Sequence, residues 1–453
     1  MISIAIVGAG PAGLMLALSV MRHRSAGADP LRLTFFEREP HHDRQPRANA
    51  SRSYTIDITG HGRKALESIG PGLIARFEKE LIPFRGVCAH MLGRVLSHNE
   101  GGWTGSRGDI CSALLHELEA MLPDANLDCV FRWGISVEGV QPDDGTVTFC
   151  AGTETRQEAF DLIVGADGAG SLFRRQLETD CYIKTEKYSI PNYSRILHLD
   201  EGNAAEAFDP ALLHVFSLRP WAVGGAILED DAAREASEVV AADLPKDFFV
   251  QMGFWNDAPV GDGDAVQRML GKIRVRSKAG GGEYLADFVS RDEMAAYSQR
   301  DVYHTGKTVL CSQLAGGRCV LLGDAASAFP PVGQGVNAAL EAATVLGERL
   351  ANVDRPGLKA AVEAYDAAWL PEARACATIA NQVVYGSHIN MISMFMLGAL
   401  SDLTGVEMVG PQLAKDARYS YAEALSITRR RQRWLVGAIA IFLIGVSVML
   451  APP

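Results

Sequence analysis

The sequence has few cysteines, and none of them is paired in a way that suggests redox or metal chemistry. Its eight cysteines are scattered over 453 residues without a Cys-x-x-Cys motif. This disfavours a dithiol–disulfide oxidoreductase. No group of His and Cys has zinc-ligand spacing, so no metal site is predicted. The thiols are typical of buried cysteines in a reducing compartment.

The chain also lacks an excess of positive charge and any repeated or low-complexity tract. Its net charge is −11, and no basic stripe runs through its body. Nucleic acid is therefore not an expected partner. Apolar residues make up 48% and charged residues 21% of the sequence, which predicts a folded globular protein. A length of 453 residues predicts two or three domains of about 100–200 residues each.

A charged segment ahead of an apolar core is missing at the start, so we expect no cleaved signal or transit peptide. The long uncharged run lies instead at residues 434–451, after Arg429, Arg430, Arg431 and Arg433. At about 1.5 Å per residue this run rises about 27 Å, marginally enough to cross a bilayer core. It predicts a C-terminal transmembrane tail anchor, and a buried core helix is the alternative. The apolar segment 388–400 is too short to span and predicts a core helix.

What the sequence does contain is a glycine motif between a predicted strand and a predicted helix. Gly8-Ala9-Gly10-Pro11-Ala12-Gly13 follows the apolar run 2–7 and precedes the apolar segment 14–21. Such glycines permit a tight turn, close approach of the backbone to a pyrophosphate, and close packing of helix on strand. A second predicted strand, 31–36, ends at Glu37, a suitable acceptor for a ribose hydroxyl. Dinucleotide binding is predicted, with an ordinary strand–turn–helix as the alternative.

Two further glycine motifs follow predicted strands far along the chain. The second is Gly165-Ala166-Asp167-Gly168, after the apolar run 161–164. The third is Gly323-Asp324-Ala325-Ala326, followed by Gly333-Gln334-Gly335-Val336-Asn337 and a predicted helix over 335–350. In this order the three motifs describe a single flavin dinucleotide site.

These motifs resemble those of class A flavoprotein monooxygenases of the para-hydroxybenzoate hydroxylase type. The second motif with Ser171 and Arg174, and the third with Pro330 and Pro331, carry the resemblance. Within the group the chain is most similar to the kynurenine 3-monooxygenases. That likeness rests on four segments: Arg52-Ser53, residues 60–66, Ser106-Arg107, and residues 421–424 with the basic stretch and apolar tail behind them.

The resemblance implies an α/β fold with a Rossmann-like FAD-binding domain, an inserted mixed β-sheet substrate domain, C-terminal helices and the transmembrane helix. The implied divisions are FAD-binding parts at 1–75, 105–178 and 291–352, substrate-domain parts at 76–104 and 179–290, a helical region at 353–428 and the tail anchor at 434–451. The tail would attach the protein to a membrane, with the catalytic body in the cytoplasm. The membrane would be the bacterial inner membrane or, in a eukaryote, the mitochondrial outer membrane or the endoplasmic reticulum.

The implied cofactor is FAD, with NAD(P)H as co-substrate and O2 as oxidant. Reduced flavin forms a C4a-hydroperoxide that transfers one oxygen atom to the substrate, so no acid–base pair is expected. Gln334 and Gly335 would lie near the isoalloxazine, where the N-terminus of a helix suits its negative charge. The predicted cofactor-binding residues are Gly8, Gly10, Ala12, Gly13, Glu37, Arg38, Arg52, Arg107, Asp167, Gly168, Gly323, Asp324, Gly333, Gln334, Gly335, Val336 and Asn337.

The predicted substrate pocket departs from the kynurenine 3-monooxygenase pattern. Val87 stands where that family has the arginine that holds the substrate carboxylate, and Arg85 is the nearest remaining cation. We therefore expect an aromatic or hydrophobic substrate, with kynurenine itself as one alternative and a flavin reductase or epoxidase acting on a prenyl lipid as another. The predicted pocket residues are Arg85, Val87, Phe329, Pro330, Pro331 and Tyr421. For Tyr421 a core tyrosine with a satisfied hydroxyl is the alternative, and His61, His90 and His214 are interpreted as structural.

Overall fold

The computed structural model describes most of the chain: residues 1–42, 54–90, 96–122, 127–200, 204–218, 221–229, 240–255, 263–275, 284–385, 405 and 410–450. Its strands, in chain order, are β1 Ile2–Val7, β2 Leu31–Glu37, β3 Ile56–Ile58, β4 Ile82–Ala89, β5 Leu96–Gly105, β6 Leu127–Trp133, β7 Ser136–Gln141, β8 Thr146–Ala151, β9 Glu154–Ala159, β10 Leu162–Gly165, β11 Thr185–Ser189, β12 Asn192–Leu199, β13 Leu212–Leu218, β14 Trp221–Leu228, β15 Lys246–Trp255, β16 Tyr303–His304, β17 Lys307–Cys311, β18 Ala315–Gly316, β19 Cys319–Leu321 and β20 Ser327–Ala328.

The helices connect these strands and form the C-terminal part. They are α1 Pro11–His23, α2 Gly60–Ile69, α3 Pro71–Glu80, α4 Arg107–Met121, α5 Leu172–Thr179, α6 Ala204–Ala207, α7 Gly263–Leu270, α8 Arg291–Gln299, α9 Gly335–Leu350, α10 Leu358–Tyr385, α11 Gly410–Lys415 and α12 Tyr421–Leu450. A short 3-10 turn covers Gly323–Ala325.

A six-stranded sheet in the order β18-β19-β10-β1-β2-β6 forms the centre of the dinucleotide-binding part. Neighbours from β19 to β6 pair in parallel, and only the short β18 runs antiparallel. Its central strands are buried and rich in Ile, Leu and Val, as expected for a parallel sheet covered on both faces. This confirms the α/β expectation for the three glycine motifs.

The register of the parallel strands brings the glycine motifs to one edge of the sheet. Val7, the last residue of β1, lies opposite Gly165 of β10, and Gly165 lies opposite Leu321 of β19. Because parallel strands end at the same edge, the turns that follow them meet there. Helices α1 and α9 pack closely behind that edge. A Cβ on Gly347 of α9 would come within 2.5 Å of the Ser19 side chain of α1.

An eight-stranded mixed sheet in the order β16-β12-β15-β14-β13-β4-β5-β3 lies beside the first sheet. Strands β4 and β12 to β15 lie within the two segments that the sequence predicts for the substrate domain, and β5 ends one residue beyond the first of them. Strands β3 and β16 lie in segments that the sequence assigns to the FAD-binding parts. One face, which we call the back face, packs into a core with Phe208, Phe216, Phe248 and Phe288. The opposite front face carries Gly225, where an added Cβ would meet the Thr55 side chain at 3.1 Å. The front face therefore looks towards residues 54–55.

The C-terminal helices do not support the predicted transmembrane tail. Within the described part of the chain, no helix combines the length and the apolar character needed to span a membrane. The backbone of α12 continues to Leu450, but most side chains of the predicted tail, 434–451, lie outside the described residues. The same is true of the predicted core helix at 388–400, which falls wholly outside them.

The cysteines are less uniformly buried than the sequence predicts. All eight lie in the described ranges and are free thiols. Cys129 and Cys150 are half-buried, and Cys181 is exposed. The expectation of buried thiols is wrong for Cys181 because this residue lies in the turn after α5, in a left-handed conformation with φ of 63°.

Candidate active site

Two glycines of the first motif are required by packing within the protein. Gly8 has φ of +107°, and a Cβ there would lie 2.4 Å from the carbonyl oxygen of Ala166 in the second motif. A Cβ on Gly13 would lie 2.2 Å from the carbonyl oxygen of Gly8. Both contacts are with backbone that cannot move aside. These glycines therefore let the first turn fold back on α1 and touch the second motif.

Gly10 differs from Gly8 and Gly13, because its backbone conformation is one that any residue can adopt. It precedes α1 with φ of −77° and ψ of −176°, and no side chain caps this helix. The nearest described atom to an added Cβ is Nη2 of Arg107, the end of a flexible side chain, at 3.0 Å. At Gly10 no Cβ covers the start of α1, and the helix N–H groups there are uncapped. This is the cradle that a pyrophosphate requires.

Glu37, at the end of β2, fixes the first turn. Its Oε2 accepts a hydrogen bond from the Ala9 amide at 2.8 Å, and its Oε1 accepts one from the Glu39 amide at 3.0 Å. The imidazole of His42 lies 2.7 Å from the Ala9 carbonyl, and burial lowers the pKa of His42. Each carboxylate oxygen of Glu37 can accept a second hydrogen bond, so Glu37 can still accept from ribose hydroxyls.

Of the two arginines predicted near Glu37, the structure describes only Arg38. The Arg38 side chain is exposed, and its Nε lies 3.6 Å from the Glu39 carboxylate. Arg38 thus points to the surface beyond the strand end. Arg52 lies outside the described residues.

In the second motif, Asp167 caps the following helix and keeps one free oxygen. Its Oδ2 accepts hydrogen bonds from the amides of Leu172 at 2.7 Å and Phe173 at 3.4 Å. Its Oδ1 is buried and has no hydrogen-bond partner among the described residues. A buried carboxylate oxygen without a donor is costly. The vacancy for a donor fits a cofactor hydroxyl or N–H at this position.

The third motif is held against the first two. Arg174, on α5, donates from Nη1 to the carbonyl oxygens of Asp324 and Ala325, at 3.1 and 2.8 Å. Gly323 adopts φ of +60°, and a Cβ there would lie 3.1 Å from the Cβ of Ala12. Gly323 and Ala12 were both predicted to bind the cofactor, and the structure shows that they also bring the third motif onto α1.

Three ionisable side chains mark a deep cavity between the motifs. Asp324, Arg107 and Tyr54 are each exposed in the structure. Nevertheless burial raises the pKa of Asp324, while the charges of Arg107 and Arg174 oppose that rise. Burial likewise raises the pKa of Tyr54, with Asp324 adding to the rise. These side chains are reached by solvent although protein surrounds their ionisable groups, so they line a cavity that is open to solvent.

Arg107 reaches this cavity from the first turn of α4. The helix starts with a capping box, in which the Asp109 amide donates to Ser106 Oγ at 3.1 Å and the Ser106 amide donates to Asp109 Oδ2 at 2.8 Å. This box fixes the direction in which Arg107 leaves the helix. The guanidinium ends beside Gly10, where it can pair with a phosphate.

The N-terminus of α9 opens into the same cavity. A Cβ on Gly335 would lie 4.0 Å from Asp324 Oδ1, and no side chain caps the helix. Gln334 is buried and donates from Nε2 to the Gly333 carbonyl at 3.0 Å. Val336 is half-buried behind them. The positive end of this helix thus faces a carboxylate and the space beside it.

The side-chain amide of Asn337 is bonded within the protein. Its Nδ2 donates to the carbonyls of Asp57 and Gly333, at 3.1 and 2.9 Å, and its Oδ1 accepts from the Thr59 amide at 3.0 Å. The whole amide is therefore used inside the protein. Asn337 ties the third motif to the segment between β3 and α2.

Tyr421, a predicted substrate ligand, is fully buried at the start of α12. Its hydroxyl donates to Gln334 Oε1 at 3.3 Å, and its ring stacks on His61 with centroids 4.1 Å apart. His61 in turn lies 2.8 Å from Glu341. A contact between Tyr421 and a substrate would require the bond to Gln334 to break.

The predicted pocket residues of β4 lie on the front face of the eight-stranded sheet. Val87 pairs with Leu213, and Val215 pairs with Val223, which shares its face with Gly225. Alternation along the strands therefore places these apolar side chains on one surface. Arg85 is 63% exposed and forms an ion pair with Asp209. Of the loop before Gly333, Phe329 is half-buried, Pro330 buried and Pro331 exposed.

The family model described as FAD binding domain matches residues 1–240 and 285–380. The chain belongs to this family. The glycine motifs, the cavity between them and the α/β fold are those of a FAD-dependent monooxygenase, and this flavoprotein is an enzyme of that class.

Individual relatives agree with the family assignment. The kynurenine 3-monooxygenase of Salinispora tropica is 26% identical over 381 residues, which cover 81% of this chain and 76% of that protein. The kynurenine 3-monooxygenase of Saccharomyces cerevisiae is 25% identical over 377 residues, which cover 76% and 73%. The structure of 2-methyl-3-hydroxypyridine-5-carboxylic acid oxygenase matches 93% of this chain and 99% of its own with a TM-score of 0.61 at 16% identity.

Two features of the structure were missed by the sequence reasoning. Tyr54 follows a charged stretch of sequence without any recognisable pattern, so nothing in the sequence marked it as lining the cavity. Cys88, His90 and His214 meet in the buried core behind β4 and β13, although a His and Cys cluster was not predicted. His90 and His214 are 124 positions apart in the sequence. They come together because β4 pairs with β13.

Proposed function

We propose that this monooxygenase consumes NAD(P)H and O2 to insert one oxygen atom into an aromatic or hydrophobic substrate. The observation that carries the proposal is the apolar front face formed by Val87, Leu213, Val215 and Val223. This face looks towards residues 54–55, and Tyr54 lines the cavity of the glycine motifs. A substrate between them would lie against apolar side chains on one side and the flavin on the other.

The residues of the chain would bind and orient the cofactor in a fixed way. Gly10 and the start of α1 would hold the pyrophosphate with Arg107, and Glu37 would accept from a ribose. Asp324 would accept from the ribityl chain, and the start of α9 would stabilise negative charge on the flavin. Bound FAD supplies the activation of O2, and the protein supplies position and exclusion of water.

Kynurenine itself is the second candidate substrate, because the relatives at 25–26% identity carry that activity in their names. Two features oppose it. Val87 offers no charge to an amino-acid carboxylate, and Arg85 already pairs with Asp209. A carboxylate would therefore lack a bidentate partner on this face.

We expect the purified full-length chain to be yellow and to oxidise NAD(P)H faster when an apolar aromatic compound is added. Oxygen uptake should match the NAD(P)H consumed, and mass spectrometry with isotopically labelled O2 should find one labelled oxygen in the product. Nicotinamide oxidation with saturation of a double bond and no oxygen uptake would instead identify a prenyl reductase. A colourless chain that releases no flavin on denaturation would refute the proposal altogether.

We further propose that residues 434–451 anchor the protein to a membrane, with its body in the cytoplasm. The support is the uncharged sequence and the arginines before it. In the described residues, Arg374 of α10 and Arg429 and Arg433 of α12 line one groove just ahead of that sequence. Such a cluster suits anionic head groups.

The full chain should therefore stay in the membrane pellet after a carbonate wash, while residues 1–428 should remain in the supernatant. Thr428 is buried against the body, so this truncation keeps the packed start of α12. Flavin content provides the control, since both forms should bind FAD equally. Release of the full chain by carbonate would show that the tail is a core helix.

A further inference from the structure

Three side chains of metal-ligand type meet behind the substrate-facing sheet. Cys88 lies on β4 and His90 directly after it, while His214 of β13 pairs in register with Cys88. All three are buried. Their ligand atoms lie within 4.8 Å of one another. None of them belongs to the flavin cavity, because they point from the back face of the sheet.

The distances are close to those of a metal centre. Cys88 Sγ lies 3.7 Å from His90 Nε2, and His90 Nε2 lies 2.9 Å from His214 Nδ1. Tetrahedral zinc with usual bond lengths needs a sulfur–nitrogen separation of about 3.6 Å and a nitrogen–nitrogen separation of about 3.3 Å. The separation between Cys88 Sγ and His90 Nε2 is already close to the first value, whereas the two imidazole nitrogens must move apart slightly to admit an ion.

The surroundings hold both rings in the orientation that a ligand needs. His214 Nε2 lies 3.0 Å from the Asp209 carbonyl, which fixes the ring proton on Nε2 and leaves a lone pair on Nδ1. Metal-bound histidines are oriented by this kind of bond to a carbonyl. His90 is stacked on Phe216 with centroids 4.9 Å apart.

We propose that Cys88 Sγ, His90 Nε2 and His214 Nδ1 bind one d10 metal cation, Zn²⁺ or Cu⁺. A thiolate and two imidazoles are soft to borderline ligands that both ions accept. Binding forms one metal–sulfur and two metal–nitrogen bonds, and the Cys88 thiol loses its proton to solvent. A tetrahedral Zn²⁺ takes a water molecule as its fourth ligand, whereas Cu⁺ is satisfied by the three side chains. His90, which donates from Nε2 to His214 without metal, takes the tautomer with its proton on Nδ1.

Burial also shifts the pKa values of two of these side chains. Burial lowers the pKa of His90 to about 4, with His214 adding to the effect, so the ring is neutral near pH 7. Burial raises the pKa of the Cys88 thiol, and the charge of Asp209 adds to the rise.

The site would join β4 to β13 directly beneath the front face. Val87 precedes Cys88 in β4, and Leu213 precedes His214 in β13, so each ligand is adjacent to an apolar residue of the proposed substrate surface. A cation at this point would fix the register of the two strands that carry the surface. Its role is structural, and it does not depend on which substrate the enzyme takes.

The test uses the full-length, FAD-loaded chain purified without chelators. Element analysis should find about one Zn²⁺ or Cu⁺ per chain, since the site has one set of ligands. Metal-free protein should be titrated separately with Zn²⁺ and with Cu⁺ under reducing, oxygen-free conditions, which decides between the two ions. X-ray absorption at the metal edge should show one sulfur and two nitrogen neighbours.

Cys88→Ser should weaken metal binding at least about 100-fold, because even loss of an outer partner costs up to that much. Cys376→Ser, at a buried thiol of α10 outside the cluster, is the matched control and should bind as the unchanged chain does. If Cys88→Ser does not fold, Co²⁺ in the unchanged protein provides the answer, through ligand-field absorption beyond the flavin bands. Absence of a metal–sulfur signal, or equal binding by both variants, would overturn the proposal and leave a hydrogen-bonded histidine pair.

Discussion

A Gly10→Val variant is expected to purify folded but without flavin, whereas the unchanged chain should carry about one FAD. The added side chain would stand over the uncapped start of α1, where the pyrophosphate needs to touch backbone. Its only close described neighbour is the end of the Arg107 side chain, at 3.0 Å from the Cβ, and that group can move. The fold should therefore survive while the cradle is lost. We expect FAD affinity to fall at least about 100-fold, or about 2.7 kcal/mol.

Two further glycines separate loss of cofactor from loss of fold. Gly27→Val is the neutral control, since an added Cβ there meets nothing within 4 Å. Gly13→Val should instead destabilise the protein, because its Cβ would strike the Gly8 carbonyl at 2.2 Å. Flavin absorbance after gel filtration and thermal melting distinguish the three variants. Normal FAD content in folded Gly10→Val would show that the pyrophosphate does not lie on α1.

The sequence predicted the parts of this site that follow from local pattern. The first motif stands between a buried strand and a helix, and the structure has β1 and α1 there. Glu37 ends β2 as expected, because an apolar run followed by an acid is itself a local signal. The tight turn at Gly8 is likewise visible in the motif, although its contact with the Ala166 carbonyl joins distant segments and was not predicted.

The parts that were not predictable depend on contacts between distant segments. Asn337 looks like part of the third motif, yet its amide is used by Asp57 and Thr59, far away in the chain. Tyr421 matches a substrate ligand of relatives by sequence, yet its hydroxyl reaches Gln334 instead. Neither partner could be read from the spacing of residues. The same holds for His214, which meets Cys88 only because β13 pairs with β4.

The fold also shows why Arg85 is less suited to bind a substrate carboxylate than the sequence suggests. Arg85 lies on the same face of β4 as Val87, but its side chain is exposed, whereas Val87 is half-buried. There it pairs with Asp209, whose other oxygen accepts from the Ala211 amide at 3.0 Å. The carboxylate is thus fixed by its own loop. Arg85 is thus an exposed residue with an ion-pair partner, whereas Val87 pairs with the apolar Leu213 of β13.

Val87→Arg is therefore expected to lower kcat/KM for an apolar aromatic substrate at least about 100-fold, or about 2.7 kcal/mol. The new guanidinium would stand beside Leu213 and lose water when an apolar ligand covers it, with no carboxylate to pair with. Val87→Leu keeps the surface apolar and is the matched control, with a change expected within a few-fold. Arg85→Ala should leave KM unchanged, since that side chain is exposed and bound to Asp209.

The rates should be measured as coupled product formation, with L-kynurenine in parallel. Two results together would overturn the apolar assignment: tight binding and coupled hydroxylation of L-kynurenine by the unchanged chain, and a large rise in KM in Arg85→Ala. The arginine would then hold a substrate carboxylate.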